Sequence, residues 1–232
     1  MNFSIVFIKV FIWLFFLIGV SFFLNCFWRR LFPGRIRQLI IFPGIIIHEI
    51  SHALGCFVTG AKIKEISLFS PKGSYVSHSK PVIPLIGNFI ISFSPIAGSI
   101  FSLAVFFRIF GFSLLLNGLS FDSFYQSFLI IFKESIVFVI NNYQFWPFWV
   151  FSYLAISLII SLSPSKQDFK NSFLSSAFIV IVLMIFFRFG FFSEQIIVFL
   201  ENSVIGILGI GVFFGFSAII ITLPIYFIKK LI

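Results

Sequence analysis

His48, Glu49 and His52 stand in the stretch "PGIIIHEISHALG", Pro43 to Gly55, among isoleucines, glycines and an alanine. On a helix, residues four apart are separated by about 6 Å along the axis and about 40° around it. His48 and His52 therefore share a face, where two imidazoles can hold one Zn2+ at about 2.0–2.1 Å each. Glu49, next to the first histidine, can take a proton from a water on that metal without being a ligand. H-E-x-x-H on a helix is the arrangement by which zinc hydrolases pair a Lewis acid with a general base. The chain has three histidines, and two of them are here. A charged side chain inside an apolar span costs about 2.5–3.5 kcal/mol to insert, so such residues usually serve a function. The structural alternative has both histidines hydrogen bonded to neighbouring helices and Glu49 protonated.

Two histidines leave a catalytic zinc one protein ligand short. Glu65, His78, Asp122, Glu134, Asp168, Glu194 and Glu201 are the candidates for the third place. Asp168 is favoured, because it follows an apolar span directly, after the helix-breaking "SPS", and so sits at a membrane boundary. Its other reading is an N-terminal carboxylate for a helix starting near Lys166. His78 falls in a polar stretch, where most histidines are solvated.

The elements that must position these groups are apolar throughout. Of 232 residues, 60% are hydrophobic, 10% are charged and forty are Phe. Soluble domains average roughly 45–50% apolar and about 25% charged. The expectation is an all-α, multi-pass integral membrane protein in the lipid bilayer of a prokaryotic cell. The net charge is +9, but the basic residues lie between apolar runs. They mark membrane flanks and lipid contacts, and nucleic acid is not an expected partner. Cys26 and Cys56 both fall in apolar runs, which predicts buried thiols and no disulfide framework.

About six transmembrane helices are expected, in a single domain over 1–232. They are Asn2–Trp28, Gln38–Gly60, Pro84 to about Phe107, Phe145–Leu162, Phe173–Phe189 and Ser203–Phe227. Each is close to the length that crosses a hydrocarbon core of about 30 Å. Residues 62–80 alternate polar and apolar around "SPKGS", which predicts a β-hairpin at the membrane surface. Pro95 is expected to break or kink the third span. Phe110–Asn142 carries Lys133-Glu134 and reads as an interfacial or partly inserted helix. With an inside N-terminus, the basic residues split almost evenly. Lys62, Lys64, Lys72, Lys80, Lys166, Lys170, Lys229 and Lys230 fall inside, and Arg29, Arg30, Arg35, Arg37, Arg108, Lys133 and Arg188 outside.

"HEISH" in a span, the hairpin "KIKEISLFSPKGSYVSHSK", the broken span "GNFIISFSPIAGS" and the late "SPSKQD" together cover a core of about 38–171. In these features the chain resembles the site-2 protease family of intramembrane zinc metalloproteases. Asp168 lacks the Leu and Gly that flank the late aspartate in that family. The resemblance implies one Zn2+ per chain, held by His48, His52 and Asp168, with Glu49 as the catalytic base. It implies a substrate that is a transmembrane helix of another membrane protein, unwound locally and paired with the hairpin edge. Asn88 is a candidate hydrogen-bonding partner for that extended substrate, and otherwise an interhelical hydrogen bonder. The resemblance also implies a cytosolic hairpin and aspartate, and a motif helix running from outside to inside. Two enzyme-free readings remain beside it. One is a membrane metal-binding or transport protein using the same histidines, although no internal repeat supports it. The other is an inactive protease-like scaffold.

Overall fold

In the computed structural model, residues 3–32, 34–70, 73–112, 124–163 and 194–231 are described. Helix α1 spans Phe3–Leu31, α2 Gly34–Ile40 and α3 Phe42–Val58. The strands β1, Ile63–Ser67, and β2, Tyr75–His78, follow. Then come α4 Pro84–Ile109, α5 Phe124–Asn142, α6 Trp146–Ser161 and α7 Glu194–Phe199. A π-helical turn, Leu200–Val204, leads into α8, Ile205–Leu231. The strands pair antiparallel as an isolated hairpin, with an irregularity between Ile63 and Glu65. The predicted hairpin at 62–80 is therefore present. The expected span at 173–189 lies outside the described residues.

Among the described residues, three helices are long and apolar enough to cross a membrane: α1, α4 and α8. A fourth span arises only if the bent pair α2 and α3 is counted as one. The apolar α6 is shorter, at 16 residues. Outward-facing Phe15, Phe22, Phe23, Phe101, Ile220 and Ile221 are all exposed on these long helices. Water would not tolerate so much contiguous apolar surface, and lipid would. Cys56 is buried as expected, whereas Cys26 is exposed on the outer face of α1.

Side-chain contacts fix the helix directions. Leu17 meets Gly211, Val20 meets Gly215, and Arg30 donates to the Tyr226 hydroxyl at 2.9 Å. Helices α1 and α8 are therefore parallel, and Lys229 Nζ caps the end of α1 by donating to Leu31 O at 2.8 Å. Helix α6 runs the same way, since Ser21 Oγ donates to Ile159 O while Asn25 faces Ser161 and Ser163 across a cavity. Helix α4 runs oppositely, with Phe107 edge-on to Phe151 at the far end and Gly87 against Thr59 at the near one.

This arrangement corrects the charge assignment. Arg29, Arg30, Lys229 and Lys230 gather at one end of the molecule, where the sequence reading had put the arginines and the terminal lysines on opposite sides. The reason is the α2–α3 pair. Pro43 has no N–H to give the carbonyl four residues back and its ring would crowd it, so the helix stops at Ile40 and restarts at Phe42, bent by 84°. Helix α2 leaves from the end of α1, and α3 climbs back to the near end of α4. The hairpin then folds down beside them, with Gln38 Nε2 donating to Ser70 O at 2.9 Å and Phe69 stacked on Phe42. Both ends of the pair thus lie at the basic end, and Gln38–Gly60 is not one straight helix from end to end.

One other expectation changes in part: α4 is not broken at Pro95. Helix α5, expected as an interfacial or partly inserted helix, packs along α8, with buried Ile131 seated over Gly209 and Phe132 edge-on to Phe213.

Helix α3 is pinned to α6 at its first turn. Ser157 Oγ accepts from the Gly44 N–H at 2.9 Å and donates to Ile41 O at 3.0 Å. It so satisfies one of the unpaired N–H groups that open every helix. A Cβ on Gly44 would run into the Ser157 backbone, which cannot swing aside. Gly44→Ala is therefore expected to destabilise the protein by about 1–3 kcal/mol. Gly19→Ala, in open space on α1, should be neutral or stabilising by up to about 1 kcal/mol. Thermal unfolding of both variants in detergent checks the contrast.

Candidate metal centre

Helix α3 carries His48, Glu49 and His52 toward α4, the hairpin and the end of α6. Glu49 is 3% exposed and His52 8%, while His48 is half-buried. Gly55 sits so tightly on Ile91 and Ser94 that a side chain there would collide, and this closeness brings His52 to the α4 backbone. His52 Nδ1 lies 2.9 Å from Ile91 O. A carbonyl only accepts, so Nδ1 carries the proton and Nε2 presents its lone pair.

That carbonyl is available because of Pro95. In an unbroken α-helix, Ile91 O would accept from the N–H of residue 95, and proline has none. The orphaned acceptor instead takes bonds from His52 and from Ser94 Oγ at 2.8 Å. Metal-ligating histidines nearly always give their second N–H to a carbonyl or carboxylate, which fixes the tautomer and the ring. Pro95 thus does no damage to α4 and supplies the group that aims His52.

The rings of His48 and His52 are 5.0 Å apart between centres, at 74°. Two imidazoles sharing one zinc at about 2.0–2.1 Å in tetrahedral geometry put their ring centres about 5 Å apart. The pair therefore fits a zinc ion. Among the described residues, no group of three or more His, Cys, Asp or Glu side chains is gathered to complete such a site. Glu65 accepts from the Tyr75 hydroxyl at 2.9 Å across the hairpin. His78 lines the same cavity as the pair, but its Nδ1 is 2.8 Å from Ser79 O. Glu134 lies on α5, and Glu194 and Glu201 belong to α7 and the π-helical turn. Asp122 and Asp168 lie outside the described residues.

Two cavities meet at this centre. The larger, about 680 Å³, lies between β2 and α4, with Tyr75 to Lys80 along one side and Asn88 on the other. Asn88 is half-buried there, and among the described residues its side chain makes no hydrogen bond, so the interhelical role is not seen. The smaller, about 420 Å³, lies between α1, α2 and the end of α6. Its wall includes Arg29, Arg37, Ser161 and Ser163. His48 and Glu49 belong to both, so they form the partition between a groove and a basic chamber. The sequence reading missed the Ile91 carbonyl, Ser157 and the basic chamber. Only the first had a signal, the proline four residues after Ile91.

No protein-family model, characterised protein or solved structure matches the chain.

Pro95→Ala restores an N–H that competes with His52 for Ile91 O. Zinc affinity is expected to fall about 10–100-fold while α4 stays intact. Titration against a chromophoric chelator reads this, and an unchanged affinity would mean that His52 is aimed by something else.

Proposed function

We propose that the chain is a multi-pass membrane zinc endopeptidase that cuts transmembrane segments of other proteins. The observation that carries this reading is the H-E-x-x-H face itself: two imidazoles at zinc-sharing separation, one locked by a backbone carbonyl, beside a buried glutamate. A zinc held by His48 and His52 would supply an acidified water and polarise the scissile carbonyl. Glu49 would serve as the general base, accepting a proton from the attacking water and passing it to the leaving nitrogen. The groove between β2 and α4 receives the substrate in extended form. A free strand edge replaces hydrogen bonds lost from an unwound helix, and Asn88 offers a further amide to the substrate backbone.

Asp168 remains the proposed third ligand. The described chain reaches Ser163 beside His48 and Glu49. Asp168 is five residues further on, within a chain reach of about 17 Å.

In this reading α1, α4, α6, residues 173–189 and α8 cross the bilayer, and α2–α3 enters and leaves on one face. Helix α6 rises about 24 Å, a little under the hydrocarbon thickness, and exposed Trp146 and Trp149 anchor its start. The arginines of 29–37, the hairpin lysines and Lys229-Lys230 then share one face, which the positive-inside rule makes cytoplasmic. The hairpin stays cytosolic, as the family resemblance implies, while the first residues of α1 lie outside.

Two experiments test these points. Purified wild type should carry about one zinc per chain, lost in His48→Ala and weakened in Asp168→Ala. Glu49→Gln should keep the metal and lose cleavage of a transmembrane substrate by at least about 100-fold. Cleavage surviving Glu49→Gln would sink the mechanism, and a metal-free wild type would favour the inactive scaffold. For topology, Arg35→Cys and Lys64→Cys, in a background lacking Cys26 and Cys56, should react with an impermeant maleimide from one side. Arg108→Cys should react from the other. Labelling of Arg35→Cys and Lys64→Cys from opposite sides would show that α2–α3 crosses after all.

A further inference from the structure

The basic chamber is an unusual neighbour for a peptide-cutting centre. Arg37 is half-buried and donates to Asn25 Oδ1 at 2.8 Å, and exposed Arg29 stands at the mouth. Apart from Glu49 in the partition, no carboxylate lines the chamber among the described residues, and neither arginine is ion-paired there. Two guanidiniums facing one cavity repel each other until an anion joins them.

Gln38 gives a second, independent indication. It is 4% exposed and lines the same chamber. Its Nε2 is committed to Ser70 O, which orients the amide, and its Oε1 has no hydrogen-bond partner among the described residues. A buried acceptor without a donor is costly, about 1–3 kcal/mol. The chamber therefore asks for an anion and an N–H together. An acidic residue in a peptide offers both, a carboxylate on its side chain or chain end and an amide N–H on its backbone.

We propose that this chamber is a substrate subsite that binds a peptide carboxylate on one side of the scissile bond. The proposal rests on the peptidase reading above and gives it a specificity: a segment whose apolar part lies in the groove and whose acidic residue passes the His48–Glu49 partition. Arg37 and Arg29 take the carboxylate through charge-assisted hydrogen bonds, and Gln38 Oε1 accepts the neighbouring N–H. Such an acidic residue would sit at the membrane boundary of its own helix, where it costs little to carry.

The test measures binding rather than turnover, in Glu49→Gln protein held in neutral detergent with zinc. Labelled apolar peptides are compared in pairs by fluorescence anisotropy: Asp against Asn at each position, and a free against an amidated C-terminus. The expected result is one position at which the carboxylate peptide binds about tenfold tighter than its amide twin. Asp or the free terminus winning tells which source of carboxylate is used. The preference should vanish in Arg29→Gln/Arg37→Gln and largely persist in Arg37→Lys, which keeps the cation and the bond to Asn25. Twins that bind equally at every position would overturn the proposal and leave the peptidase reading standing. A preference that survives the double variant would overturn it as well. If phosphatidylglycerol in the micelles abolishes the preference, the chamber holds a lipid headgroup instead. If no peptide binds at all, the peptidase reading itself falls.

Discussion

A proline cannot donate to the carbonyl four residues before it, and in α4 that carbonyl holds His52. The contact between Ile91 O and His52 Nδ1 ties the motif helix to its neighbour and fixes the tautomer of one imidazole. Several features exist to allow it. Gly55 lets α3 approach Ile91 and Ser94, and Gly98 admits Ser51 one turn lower. Ser157 holds the first turn of α3 against α6. If the histidine were free to rotate, the 5.0 Å ring separation would be one arrangement among several. Within a mostly apolar bundle, such polar contacts are specific because few alternative partners exist.

Much of this was legible in the sequence, and for physical reasons. H-E-x-x-H has a fixed meaning on a helix because four residues are about one turn. The hairpin showed as alternation around a turn-forming tetrapeptide, and α4 and α8 showed as long apolar runs. Pro95 was expected to break or kink its helix; α4 is not broken there, and the freed carbonyl is shared between two side chains. Pro95 marks the Ile91 carbonyl as an orphaned acceptor but not which side chain takes it, and a serine hydroxyl within an apolar helix has no pattern that singles out Ser157 as the partner of α3. The third ligand remains an inference from chain position, because Asp168 lies outside the described residues.

The near-tie in the charge count turns on one segment. Counting Gln38–Gly60 as a crossing placed Arg29, Arg30, Arg35 and Arg37 across the membrane from the hairpin lysines. Length and hydropathy alone support that count, since a bent pair and a straight span have the same composition. Two local features bear on it: Pro43 inside the run, and two arginines within a few residues of its start. In the proposed topology, where α2 and α3 form a turn within the bilayer, the near-tie in charge becomes a clear bias toward one face.

The same bend decides how deep the chemistry sits. A motif helix crossing the whole bilayer would leave its histidines at a depth set by register alone. Here α3 starts about one turn before the end of α6, at Ile41 and Ser157, and His48 lines a cavity together with Ser161 and Ser163. Asn25 and Arg29 near the end of α1 line the same cavity, so the candidate metal centre lies close to the basic end. The basic chamber is on one side of the His48–Glu49 partition, and the groove along β2 is on the other. In the proposed reaction, a helix entering from lipid would lose hydrogen bonds before its backbone reached Glu49, and β2 and Asn88 would replace them. A site near the membrane boundary would shorten the stretch to be unwound and bring its polar end within reach of the arginines of the chamber.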